Sequence, residues 1–148
     1  MKPLPVYLAG ASAEHARVRK WADALEKTGA VRLTHRWYED ASEWTGRDAL
    51  VSHETRVQLA QDALRGIRAS RLYWLLLPAN MAGGSMFEWG YAYAGSRRVG
   101  NSLRTIVSGQ NAQDTIFSSL AHETHELDVQ GYQSILAHAK AMRAAGEP

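Results

Sequence analysis

A doubly wound parallel sheet of about five strands, with helices on both faces, is what this sequence predicts, and three observations predict it. Short apolar runs alternate with longer segments of helical periodicity, the order that builds βαβ units. One of the runs, Leu72-Tyr73-Trp74-Leu75-Leu76-Leu77, does not alternate with polar residues, so it is expected to be buried on both sides, as in a parallel sheet. The chain has 148 residues without an internal repeat, low-complexity tract or linker, so residues 1–148 are expected to form one domain around one core.

In chain order, Pro5 to Ala9 reads as a buried strand ending at Gly10. Glu14 to Thr28 is a helix with Val18, Trp21 and Leu25 at helical spacing and Gly29 as its stop. Val31 to Thr34 is a second short strand, followed by a polar, aromatic-rich surface loop from His35 to Gly46. Leu50 to Ser70 is a long helix, because Val57, Ala60, Leu64 and Ile67 recur on one face. Leu72 to Leu77 is the central strand, Met86 to Ser96 the next helix, and Thr105 to Val107 a fourth strand. Thr124 to Leu127 and Val129 to Ala145 close the chain as a short strand and a helix, with Asp128 as the N-cap.

Composition sets mild bounds. A net charge of +2 spread along the chain gives no basic block, which argues against polymeric nucleic acid and leaves a small ligand as the expected partner. The absence of cysteine excludes disulfides, thiolate catalysis and cysteine-ligated metal. No apolar stretch approaches the roughly 20 residues needed to cross a bilayer, so no membrane partner is expected. The amino terminus runs straight into a strand without a signal peptide's apolar region, and a cytoplasmic location is the expectation. His122-Glu123-Thr124-His125-Glu126 has histidines too close together for the zinc-protease motif, so no metal is expected.

Glu88 is the residue that points to chemistry. It lies in Gly83-Gly84-Ser85-Met86-Phe87-Glu88-Trp89-Gly90-Tyr91-Ala92, just past the central strand, and open α/β sheets bind ligands at the carboxyl ends of their strands. Gly83 and Gly84 allow a ligand to approach the backbone, and the amides of the first helical turn, with Ser85, face outward. Gly90 and Ala92 would let the helix pack closely on the sheet. The alternative is a carboxylate that only complements the helix dipole. Gly10, Ala11 and Ser12 form the first strand-to-helix turn, where main-chain amides could meet sugar or phosphate. Trp37, Tyr38 and Trp44 offer a stacking surface for a heterocycle, packing under a long loop, or a subunit contact. Trp89 either walls the pocket or belongs to an interface, and Arg97 and Arg98 suit the end of the Glu88 helix without any ligand.

The order of strand, small-residue loop and Glu88-x-Gly90-Tyr91-Ala92 resembles the nucleoside 2-deoxyribosyltransferase superfamily, which includes the deoxynucleoside 5'-monophosphate N-hydrolases. The resemblance runs in outline from Tyr7-Leu8-Ala9-Gly10 to the helix after Glu88 and implies a flavodoxin-like domain. It implies that Glu88 attacks the anomeric carbon of a nucleoside or nucleotide, that Tyr7 hydrogen-bonds and orients it, and that Asp62, shortly before Gly66-Ile67, protonates or steers the base. Such a displacement proceeds through a covalent glycosyl-enzyme. On their own, Asp62 is equally a solvated carboxylate on a helix face and Tyr7 a half-buried strand tyrosine. The resemblance also implies no cofactor and a homo-oligomer in which a neighbouring subunit completes the pocket. At Ala82 the family carries an Asp or a Ser, and Asn80 or Ser85 stand nearby in its place.

Two other functions fit the sequence. A Toll/interleukin-receptor-like enzyme also uses a glutamate on an α/β sheet, to cleave the nicotinamide bond of NAD, though Ser85-Met86-Phe87-Glu88 lacks that group's Ser-x-Trp-Cys-x-x-Glu pattern. A nucleotide-sensing module without activity is the other, recommended by Ala82.

Overall fold

The computed structural model describes residues 2–39, 51–80 and 83–146. Five strands form one all-parallel sheet: β1 (Leu4–Ala9), β2 (Val31–Leu33), β3 (Leu72–Leu76), β4 (Arg104–Ser108) and β5 (Glu123–His125), in the spatial order β2-β1-β3-β4-β5. Among the described residues, four α-helices connect and close it: α1 (His15–Lys27), α2 (His53–Arg68), α3 (Gly83–Ser96) and α4 (Asp128–Ala144). This is the flavodoxin-like, doubly wound architecture that the alternating pattern predicts.

The sheet separates two cores by the period-2 rule of strands. Leu4, Val6 and Leu8 of β1 and Leu72, Trp74 and Leu76 of β3 face α1 and α4, together with Val18, Leu25 and Ile135. Tyr7, Ala9, Tyr73, Leu75 and Leu77 face α2 and α3, with Ile67, Trp89 and Ala92. β3 is buried at every position, as its unbroken apolar run requires.

Element boundaries differ from the sequence reading where side chains or turns decide them. A 3-10 turn, Ser12–Glu14, precedes α1, so the helix proper begins at His15, and Gly29 ends it in the left-handed region at φ 65°. Ser52 caps α2 by accepting from the Thr55 N–H, so the described helix starts at His53. α3 begins at Gly83, three residues before the expected Met86, so the glycine pair and Ser85 are the first helical turn. Asp128 is the first residue of α4 and not its cap: Leu127 precedes the helix, and Gln130 accepts from the Leu127 N–H. The Asp128 carboxylate instead takes a bidentate grip from Arg17 Nε and Nη2, at 2.7 and 2.8 Å, and accepts from Ser108 Oγ at 2.9 Å. Arg17 also donates to the Leu77 carbonyl, which ties α1 and α4 to the end of β3.

The segment after β2 is more than a surface loop. β2 stops at Leu33, beyond which the Thr34 N–H bonds Val6 O and the Trp37 indole N–H bonds Leu8 O at 2.8 Å, so a side chain continues the ladder along β1. Tyr38 is fully buried in the α1/α4 core and is no stacking surface, while Trp37 is half-buried between the two cores. Trp44 and Ala82 lie outside the described residues. Among the described residues no helix is long and apolar enough to cross a membrane.

Candidate active site

The strand order reverses direction between β1 and β3, and in such sheets the crevice at the carboxyl ends of those two strands is where ligands bind. Within these two strands Tyr7 of β1 and Tyr73 of β3 are register partners and belong to the core on the α2/α3 side. The Tyr7 hydroxyl donates to Glu88 Oε1 at 3.0 Å across 81 residues of sequence. Burial, the charge of Glu88 and the neighbouring Tyr73 raise the Tyr7 pKa well above the ordinary value, so the phenol remains a donor. Burial pushes the Glu88 carboxyl up to about 7, and the Tyr7 hydrogen bond opposes that rise. A group poised there exchanges its proton readily at neutral pH, as nucleophiles and general bases do.

Glu88 lines a cavity of about 280 Å³ between α2, α3 and the segment after β2. Its walls are mainly apolar: Trp37, Val51, Leu59, Ala60, Ala63, Leu64 and Phe87, with His35, Arg56 and Glu88 as the charged or titratable groups. The helical period of α2 is as expected, but the stripe is rotated. Ala63, Gly66 and Ile67 form its buried face, Val57 is exposed, Ala60 faces the cavity, and Leu64 lines the cavity while packing against the core's edge. The apolar residues of α2 thus serve partly as the wall of an open site.

The sequence-predicted site residues divide. Tyr7, Glu88, Trp37 and Gly84 come together at this cavity or behind it. Gly83 is exposed in the first turn of α3, with open space where a Cβ would stand. Ser85 is buried and its hydroxyl donates to the Gly10 carbonyl at 2.8 Å, so its proton is committed to joining α3 to the first turn. Gly10 makes room for Val18, whose Cγ2 would lie 2.7 Å from a Cβ there, which is a packing role. Ala11 is buried, and Gly10, Ala11 and Ser12 do not line the cavity. Asp62 does not line it either: its carboxylate pairs with Arg65 and accepts from Gln58 at 3.0 Å. Those partners hold it below the usual carboxylate range, which unsuits it as a proton donor at neutral pH. Gly90 is exposed with nothing within 4 Å of a Cβ position, so Ala92, not Gly90, makes the close approach to the sheet. Trp89 is buried in the α2/α3 core and is not a pocket wall. Asn80 is exposed.

His35 is a site residue that sequence reasoning missed. It follows the end of β2, stacks on Tyr7 with centroids 6.3 Å apart, and lines the cavity with Glu88. Burial lowers its pKa, and the charge of Asp62 opposes that shift. Its place just past a strand's carboxyl end was the available signal. Gly66 makes the arrangement possible, since a Cβ there would lie 2.8 Å from His35 Cβ and 3.0 Å from the Tyr7 ring. At the far edge of the sheet, Glu123 accepts from Arg104, His125, His138 and Ser134 and is held down to about 2, so the acidic and histidine-rich segment builds a structural network around β5.

No family model, curated protein or solved structure matches the chain. The class defined by fold and geometry is a flavodoxin-like domain with a tyrosine-bound glutamate in an apolar cavity.

Proposed function

We propose that this protein cleaves the N-glycosidic bond of a nucleoside or nucleotide, with Glu88 as the nucleophile. The observation that carries the reading is the Tyr7–Glu88 hydrogen bond at the wall of a cavity beside the β1/β3 crevice. Ionised Glu88 forms a bond to the anomeric carbon while the C–N bond breaks and its electron pair leaves with the base. The base takes up a proton, which His35 relays from solvent in place of Asp62. Water or the N–H of a second base then attacks the sugar ester, releases the Glu88 carboxylate and returns a proton. Trp37, Leu59, Leu64 and Phe87 provide the apolar walls that suit a planar heterocycle. The scheme uses neither metal nor organic cofactor. Phe87, which lines the cavity and is 67% exposed, provides apolar surface at its mouth, which supports a homo-oligomer with the pocket near its interface. A cytoplasmic location fits a cysteine-free chain acting on small nucleosides.

The test is chromatography of free base after incubation with deoxynucleosides, ribonucleosides, their 5'-monophosphates and NAD, with and without a second base, beside Glu88→Ala. Base release that requires Glu88 supports the reading, and the responding compound separates hydrolase, transferase and NADase. Thermal stabilisation by a nucleotide without release from any compound would replace catalysis with sensing.

A further inference from the structure

Tyr73 stands beside Tyr7 in register on β3, and the two rings stack 5.7 Å apart and 3° from parallel. Tyr7 gives its hydroxyl to Glu88. The Tyr73 hydroxyl is buried and makes no hydrogen bond. Phenylalanine would fill the same space without the penalty of an unpaired buried polar group, so packing gives no reason for the oxygen. The surroundings supply one. The Tyr73 ring lies 6.1 Å from that of Trp89, the residue after Glu88, and burial followed by the charge of Glu88 raises the Tyr73 pKa well above its ordinary value.

Among the described residues, the other buried side-chain atoms without a partner are Glu14 Oε2 and the Tyr38 hydroxyl. The first is an acceptor, and Tyr38 belongs to the core on the opposite side of the sheet. Tyr73 is therefore the one uncommitted buried side-chain donor on the Glu88 side among the described residues. Glu88 accepts from Tyr7, whereas an ionised carboxylate has about four acceptor sites to fill.

We propose that Tyr73 is a second positioning residue for Glu88, whose hydroxyl donates to the carboxylate when Glu88 is ionised. The proposal deepens the reading of Glu88 as the nucleophile and rests on it. While Glu88 carries the sugar as an ester, its carbonyl oxygen is a weak acceptor and one phenol suffices. When the ester bond breaks, the electron pair returns to the Glu88 oxygen, and the second phenol stabilises the charge that reappears. Tyr73 thus favours both the ionised nucleophile before attack and the carboxylate leaving group afterwards.

The experiment is a carboxyl-carbon NMR titration of protein labelled at glutamate, the Glu88 resonance being identified by its loss in Glu88→Gln. Tyr73→Phe keeps the ring and is expected to fold with no loss of thermal stability. It raises the Glu88 pKa by about one unit, and Tyr7→Phe/Tyr73→Phe raises it beyond either single change. With the shift, base release at pH 7 falls about fivefold and recovers one to two pH units higher. An unchanged Glu88 titration in folded Tyr73→Phe overturns the proposal. The titration needs no turnover. A shifted Glu88 in a protein that releases no base would sink the glycosidic reading and leave the pairing intact; Glu88-dependent base release with an unshifted titration would do the reverse.

Discussion

Replacing Tyr7 by phenylalanine removes one hydrogen bond and little else, and its consequence follows from the site's electrostatics. Glu88 is pushed up to about 7 by burial, and the Tyr7 hydroxyl at 3.0 Å is what holds it from rising further. A hydrogen bond to a charged group contributes about 1.5–3 kcal/mol, which at about 1.4 kcal/mol per unit is a shift of about 1–2 units. Glu88 in Tyr7→Phe should then titrate at about 8–9. The fraction ionised at pH 7 falls from about a half to between about 1 and 9%, so base release should fall about 5- to 50-fold. The assay is a pH–rate profile of base release from the responding substrate, wild type beside Tyr7→Phe, from pH 5 to 10. The acid limb should move up by one to two units, with much of the rate recovered near pH 9. A loss of rate that is equal at every pH would refute the reasoning, because it would mean that Tyr7 acts on substrate or packing and not on the Glu88 proton.

Other outcomes follow from the same structure. Glu88 holds its proton more tightly folded, at about 7, than its ordinary value of 4.5, so its contribution to stability is fully present below about 4.5 and lost as pH rises through about 7. Glu88→Gln should therefore stabilise the protein at pH 8 by up to about 3 kcal/mol and not at pH 4, as read by urea unfolding at both values. Glu123 runs the other way: its pKa is depressed to about 2 by four donors, so its stabilisation is present above about 4.5 and lost as pH falls through about 2. Glu123→Gln should cost on the order of 2 kcal/mol at pH 7 by urea unfolding, with a smaller difference at pH 2. Gly66→Ala forces His35 and Tyr7 apart and should cost about 1–3 kcal/mol, with base release reduced even well below the melting temperature. Asp128→Ala strips Arg17 of its bidentate partner and should cost about 2–4 kcal/mol in thermal or urea unfolding.

The sheet was legible in the sequence because its strands are apolar runs set between helical periods, and β3 in particular has no polar position to mislead. Tyr7 and Glu88 were legible as a pair only through a resemblance, since 81 residues separate them and no local pattern joins them. Asp62 stayed open between two readings because a carboxylate on an amphipathic helix reads alike whether it faces a ligand or its own Arg65. His35 and Tyr73 escaped notice for a physical reason. A histidine past a short strand and a tyrosine in a buried run both look like packing until register and stacking set both rings against Tyr7, the donor to Glu88. Tyr38 stayed open between stacking, packing and a subunit contact because its polar neighbours in sequence suit all three, and its burial selects packing.

The central claim is that Glu88 becomes covalently bonded to a sugar, and the most direct measurement is peptide mass spectrometry after reaction with a 2-fluoro-substituted nucleoside. The fluorine destabilises the positive charge that develops at the anomeric carbon, so the glycosyl-enzyme breaks down slowly enough to accumulate. The account predicts a fluorosugar mass increment on Glu88, absent in Glu88→Gln and released by added base or water. Catalytic base release with no increment, or with the increment on another residue, would contradict it.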